Sequence, residues 1–351
     1  MRDHSQVSMK DIAARVGCSV STVSRALRDD PRISSAVRVR IQKKAESLGY
    51  VWDRQTSRTM ARFRAKATGE SAAPEPIALV HAQERRYERQ DPLGFWTALT
   101  HAADSLGFSI QEFALDGGSG DIAKSGRRLS RVLLNRGIRG MVLFPFYQPD
   151  IRHWELDWDA FSMVAVGSSP DQPYIDRVDL SDYEDAIRCL KEIAGRGYRR
   201  IGLTSSEDSE RHTGGVFVAA YRYFMETHPE LEAVPVLRMT GRNRQRCRPE
   251  DRKDFEAWFK TNQPEAILTS HHGIRDWLAD MGKRVPDDLG LATLWPEKGW
   301  SGIEFTSETL MRPALEHLRG KLATNERGPT SAPRRLLIRS PWREGETLRN
   351  R

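Results

Sequence analysis

Met9-Lys-Asp-Ile-Ala-Ala-Arg-Val-Gly-Cys-Ser-Val-Ser-Thr-Val-Ser-Arg-Ala-Leu27 reads as two short helices joined by a tight turn. Met9, Ile12, Ala13 and Val16 recur at i, i+3, i+4 and i+7, which puts them on one apolar stripe of a first helix. Gly17 closes that helix, because a residue without Cβ takes the left-handed conformation freely. Ser19 then stands where a hydroxyl caps the next helix. Along that second helix Val20, Val23 and Leu27 fall at helical spacing as the inner side, leaving Ser21, Thr22, Ser24, Arg25 and Arg28 outward. Small hydroxyls beside a guanidinium suit close approach to a duplex: hydroxyls bond phosphates, and arginine forks onto O6 and N7 of guanine. A third helix is expected after Ser34 or Ser35, with Val37, Ile41, Ala45 and Leu48 inward and Gly49 as its stop.

The charge distribution agrees. Residues 1–66 carry 15 Lys or Arg against 6 Asp or Glu, whereas the whole chain of 351 residues has a net charge of only +7, so the remainder is slightly acidic. An ordinary helical subdomain with capping serines does not account for that concentration; a nucleic-acid binder does. No stretch approaches the 18 or more apolar residues of a membrane span, and Met1-Arg-Asp-His-Ser-Gln6 lacks the apolar core of a secretion signal, so a cytoplasmic protein is expected. Cys18, Cys189 and Cys247 are odd in number and widely spaced, which argues against a disulfide framework or a zinc site, and no cofactor is expected.

Enzyme signatures are missing: there is no Gly-x-Ser-x-Gly elbow, no His-Glu-x-x-His, no Gly-x-x-x-x-Gly-Lys phosphate loop and no Gly-x-Gly-x-x-Gly after a strand. His271-His272 sits at a strand end, where neighbouring residues face opposite ways, so a loop or capping pair is expected rather than a metal site.

The stretch Ser8 to Arg25, together with Ala45-Glu-Ser-Leu-Gly-Tyr50, resembles the opening of the LacI/GalR family of bacterial transcriptional repressors. The resemblance implies that Ser19, Val20, Ser21, Thr22, Ser24 and Arg25 lie at the groove, with Val20, Ser21 and Arg25 reading bases and Thr22 on phosphate. Ser8, Arg28 and Ser34 complete the expected headpiece contacts. After Tyr50 the family continues with an Asn-Pro-type turn and a hinge helix that wedges a leucine into the minor groove. This chain departs from that pattern: Trp52 stands where proline is common, and the wedge falls on Thr59 or, in a shifted register, Met60. Asp53 can cap a helix to Arg64 with Arg54, Arg58 and Arg62 along one side; a solvated basic linker is the alternative, and the hinge is favoured because methionine is among the apolar wedges used in minor grooves.

The expected organisation is a helix-turn-helix headpiece with hinge segment over 1–64, a connector over 65–76, and a two-lobed effector-binding and dimerisation domain over 77–351. From Ile77 short apolar runs alternate with amphipathic stretches, the pattern of parallel strands crossed over by helices. Strands are expected at 77–81, 109–115, 140–144, 163–166, 200–204, 234–237, 266–270 and 290–294. Helices are expected at 95–106, 122–136, 183–196, 216–227, 252–261 and 307–324. Asn135 to Pro145 and Gly197 to Leu203 resemble strands of the same family, and Arg335 to Arg349 resembles the ending of a branch with atypical effector domains. The resemblance therefore implies an all-α headpiece on an α/β body of two doubly wound lobes like those of periplasmic binding proteins, with the first lobe at about 77–178 plus 303–328 and the second between and after.

The ligand cleft is less legible. The family's acid after the last second-lobe strand is missing from Leu294-Trp-Pro-Glu-Lys-Gly-Trp300, which leaves Trp96, Arg211 and Trp295 as candidate effector contacts, with Trp300 a further aromatic. Tryptophans in such a fold are at least as often core. The expected partners are a pseudo-palindromic double-stranded DNA operator, a carbohydrate effector and a second copy of the chain, since Trp342 to Arg349 offers no leucine heptads for a tetramer. The competing expectation is a ligand-independent architectural DNA-binding protein, favoured by the altered hinge and the missing acid. A lobed body, superfluous for packaging DNA, argues for a sensor.

Overall fold

The computed structural model describes residues 8–27, 32–48, 74–81, 94–114, 122–144, 155–167, 174–240 and 249–350. The chain divides into two compact units, 1–73 and 74–351.

In the first unit α1 (Met9–Val16), α2 (Val20–Leu27) and α3 (Ser35–Ser47) enclose a small core of Ile12, Ala13, Val23, Ala26, Leu27, Ile41 and Ala45. Gly17 ends α1 at φ 73°, as its position in the sequence requires. One assignment from periodicity changes. Val20, expected on the inner stripe with Val23 and Leu27, is 41 % exposed, because the first turn of α2 projects past the core.

The second unit holds two sheets. The first is all parallel in the order β12-β5-β4-β3-β1-β2, from β1 (Glu75–His81), β2 (Phe108–Ala114), β3 (Gly140–Leu143), β4 (Ser162–Val166), β5 (Arg177–Leu180) and β12 (Arg335–Ile338). Alternate residues face opposite ways along these strands. Ile77, Leu79, Val142 and Val164 meet α4 (Phe95–Leu106) and α11 (Ser307–Thr324), while Ala78, Val80, Met141 and Met163 meet α5 (Ile122–Asn135).

The second sheet runs β13-β11-β10-β9-β6-β7, with β8 also on β6. Its strands are β6 (Arg200–Ser206), β7 (Glu232–Ala233), β8 (Leu237–Met239), β9 (Ala266–Thr269), β10 (Gly290–Thr293), β11 (Ser301–Ile303) and the antiparallel β13 (Trp342–Arg343). Against one face pack α6 (Asp182–Gly195) and α8 (Val216–Thr227); against the other pack α9 (Pro249–Asn262) and α10 (Ile274–Asp280). A further short helix, α7 (Glu207–Thr213), follows β6 directly.

Most expected elements are present within a residue or two. The expected strand at 234–237 is instead broken into β7 and β8. Pro235 cannot donate to a ladder, and the Tyr221 hydroxyl accepts from the Val234 N–H (2.9 Å) where the ladder fails. The lobe boundaries also change. Ile303 belongs to the second sheet, and Arg335–Ile338, expected in the second lobe, pairs with β5 in the first. That strand is only four residues long and largely exposed, too short for alternation to place it. The chain therefore crosses between lobes three times: after β5, after β11 and after β12.

A buried ionic network secures the return of the chain to the first lobe. The fully buried Asp176 carboxylate accepts from His317 (2.8 Å) and Lys321 (3.1 Å) of α11, and from the Arg334 backbone N–H (2.8 Å) and Nε (3.0 Å) just before β12. Burial alone would raise the Asp176 pKa; the Arg334 N–H, His317, Lys321 and the Arg334 guanidinium together outweigh it and hold the carboxyl well below the usual range. A depressed carboxylate contributes stability above its unfolded value, and that contribution fades as pH falls toward the folded one. Wild-type stability should therefore decline below about pH 4, more steeply than in Asp176→Ala. Denaturant unfolding at pH 7 should show Asp176→Ala less stable by about 3–5 kcal/mol, because Lys321 loses a buried partner.

Candidate nucleic-acid interface and ligand cleft

The turn between α1 and α2 is held from both sides. Ser8 caps α1 in a reciprocal box with Asp11: Asp11 Oδ2 accepts from the Ser8 N–H (2.7 Å), and Ser8 Oγ accepts from the Asp11 N–H (3.4 Å). Hydrogen bonds from the Ser8 side chain and backbone lower the Asp11 pKa. Ser19 caps α2 by accepting from the Thr22 N–H at 3.1 Å, and its hydroxyl also meets Ser21 (2.7 Å) and Thr22 (2.8 Å). Three hydroxyls thus cluster over the open N–H groups at the positive end of α2, an arrangement suited to phosphate.

The remaining expected contacts are spread along the same helix and the next. Val20, Ser21 and Arg25 are exposed, Thr22 and Ser24 half-buried, while Val23, Ala26 and Leu27 are buried beneath them. Ser34 is exposed, and its carbonyl accepts from Arg38 N–H (2.9 Å) as α3 begins. Between α1 and α3 lies an open depression of about 530 Å3 lined by Arg15, Val16, Arg40, Lys43, Lys44 and Ser47. Arg28, Arg54, Arg58, Thr59 and Met60 lie outside the described residues.

In the body, Trp96 packs half-buried on the first-lobe core from α4. Trp295, half-buried just after β10, sits edge-on to Phe305 with centroids 5.3 Å apart, and Arg211 is exposed on the last turn of α7. Trp300 is buried in the second-lobe core. His271 and His272 diverge. His271 is buried beside Trp277, and burial lowers its pKa. The Nδ1 of His272 lies 2.5 Å from Glu297, and its Nε2 3.0 Å from Thr293 Oγ1. No group of three or more His, Cys, Asp or Glu among the described residues is arranged to hold a metal ion.

At the first crossover stands a cluster that sequence reasoning missed. Asp179 lies on β5 one residue before its end, Asp182 opens α6 and Glu210 lies on α7. Burial, then the neighbouring Asp179 and Asp185, push the Asp182 carboxyl up to about 7 against the pull of Arg335, with Glu210 adding to the rise. The other acids of this region are engaged: Asp179 binds Arg335 (2.5 Å), Asp185 accepts from Ser340 Oγ (2.6 Å), and Glu184 pairs with Arg339. In the sequence, Asp179-Leu-Ser-Asp-Tyr-Glu-Asp185 reads as acids complementing a helix N-terminus; only the fold brings Glu210 to them.

Two mainly parallel sheets, covered by helices and joined by three crossovers, form an α/β body of the periplasmic-binding-like kind, and a separate unit of three helices precedes it in the chain. Residues 8–53 match the family model "Bacterial regulatory proteins, lacI family". The HTH-type transcriptional repressor MelR of Bacillus subtilis is 27% identical over 211 residues, 59% of this chain and 56% of that protein. The maltose regulon regulatory protein MalI of Escherichia coli K12 is 27% identical over 237 residues, 64% of this chain and 62% of that protein. The chain thus matches less than two thirds of the length of either relative. Among solved structures, the transcriptional regulator CelR–cellobiose complex has a TM-score of 0.59 at 18% identity, covering 97% of this chain and 99% of that one. The lac repressor dimer bound to operator and the anti-inducer ONPF has a TM-score of 0.56 at 15% identity, covering 97% and 98%. The family match is thus carried by residues 8–53, and over more of its length the chain is similar to LacI/GalR-type regulators.

The capping geometry makes a separate prediction. Ser19→Ala should destabilise α2 by about 1 kcal/mol, read as roughly fivefold faster hydrogen exchange at its amides, with exchange in the body strands unchanged.

Proposed function

We propose that this protein is a sequence-specific DNA-binding regulator of transcription, a repressor acting in the cytoplasm as a homodimer on a pseudo-palindromic operator and controlled by a small polar effector. The observation that carries the reading is the outer row of α2: Val20, Ser21 and Arg25 exposed over a core of Val23, Ala26 and Leu27, in a unit that holds the chain's excess positive charge. Val20 offers an apolar surface to a thymine methyl, Arg25 a fork to guanine, and the Ser19, Ser21 and Thr22 hydroxyls bonds to phosphate. Arg54, Arg58 and the wedge at Thr59 or Met60 would extend the contact into the minor groove.

The body supplies control. Effectors of this fold class bind where parallel strands end, and the similar CelR structure is a cellobiose complex. Trp96, Arg211 and Trp295 are the candidate effector contacts. A ligand that favours one arrangement of the lobes shifts operator affinity by its differential affinity for the two arrangements.

Selection of duplexes from a random pool by the full-length protein should recover a pseudo-palindromic consensus. Arg25→Ala should lose preference at one position per half-site, with specific affinity down by about 1–3 kcal/mol, roughly 5- to 150-fold, and an unchanged circular dichroism spectrum. Enrichment without any consensus would instead favour the architectural reading, and unaltered specificity in Arg25→Ala would remove that residue from the reading face.

A further inference from the structure

Carboxylates gather at the first crossover beyond what the fold uses. Glu210, only 9 % exposed, spends Oε1 on the Ser205 hydroxyl, while Oε2 is buried and finds no hydrogen-bond partner among the described residues. Asp182, held between Asp179 and Arg335 of the first lobe and Asp185 and Glu210 of the second, accepts no hydrogen bond from any described residue either. Among the described residues the cation acting on Asp182 is Arg335, which is already bonded to Asp179, beside which Arg177 also stands. Ser340 occupies Asp185. A buried carboxylate oxygen without a donor is costly, and such groups persist where function supplies the missing partner.

We propose that the small-molecule site of the body takes a cation: a ligand with a protonated amine or guanidinium whose N–H groups complete Glu210 Oε2 and lie between Glu210 and Asp182. The proposal rests on the reading of the body as an effector domain and names the chemical class of its effector. A neutral polyol could donate a hydroxyl to Glu210, but it would not offset the repulsion that Asp179, Asp185 and Glu210 exert on ionised Asp182. A cation satisfies the orphaned oxygen and the charge together. Its arrival also lowers the pKa of Asp182, whose proton near neutral pH is lost on binding.

The test uses the full-length protein and two probe sets: D-glucosamine, putrescine, agmatine and L-arginine as cations, and D-glucose, D-galactose and cellobiose as neutral sugars. At least one cation should raise the melting temperature of wild type. Calorimetry in buffers of different ionisation enthalpy at pH 7 should then show proton release on binding. Glu210→Gln keeps an acceptor for Ser205 and removes the charge; it should weaken that cation at least tenfold, as should Asp182→Asn if the first variant fails to fold. No shift from any cation, or equal binding to wild type and both variants, overturns the proposal. A neutral sugar that shifts wild type and changes operator affinity also overturns it while leaving the regulator reading intact. A cation that binds through Glu210 without changing operator affinity supports the site and counts against its coupling to DNA.

Discussion

A parallel sheet has to be covered on both faces, and this requirement shapes the whole body. Each lobe meets it with helices on either side of its sheet, but the first lobe recruits α11 and β12 from the far end of the chain to do so. The polypeptide therefore leaves the first lobe after β5 and returns after β11. Asp176 is the fixed point of that return, since one buried carboxylate holds His317, Lys321 and Arg334. At the last crossover Asp185 holds Ser340 through its hydroxyl and its N–H, and Arg188 donates to the Ser340 carbonyl (2.9 Å). The three connections between lobes are thus short, and the last of them is tied by buried polar groups.

The first crossover is held differently, by side chains that the fold only partly pairs. Asp179, Asp182 and Glu210 come together there because β5, α6 and α7 meet, and of the three only Asp179 is bonded to a cation among the described residues. Where Asp176 has both oxygens matched, Glu210 has one without a partner among the described residues. The contrast separates a structural carboxylate from one poised for a partner.

The headpiece solves a smaller problem with fewer residues. Its core among the described residues is seven buried side chains, so the ends of its helices matter more, and the Ser8 and Ser19 hydroxyls, with Gly17, hold the turn by hydrogen bonds to or from the backbone rather than by packing. The same Ser19 hydroxyl that caps α2 also organises Ser21 and Thr22 at its outer surface. Structure and proposed recognition share these atoms.

Local chemistry alone determined the headpiece. Helical spacing in Met9–Leu27, a glycine stop and capping serines are short-range signals, and they placed α1, α2 and α3 within a residue or two. The same holds for the body helices and central strands, whose glycine turns at Gly107, Gly137 and Gly197 all adopt positive φ. Tertiary structure decided what depends on neighbours distant in sequence. Val20 has the spacing of a core residue but lies on a turn that no described residue covers. Arg335–Ile338 is a strand because β5 offers it an edge, and Val234-Pro-Val236 is not one because Pro235 breaks the ladder. The carboxylate cluster was invisible for the same reason: Asp182 and Glu210 are 28 positions apart, and a charge is perturbed by what stands beside it in space.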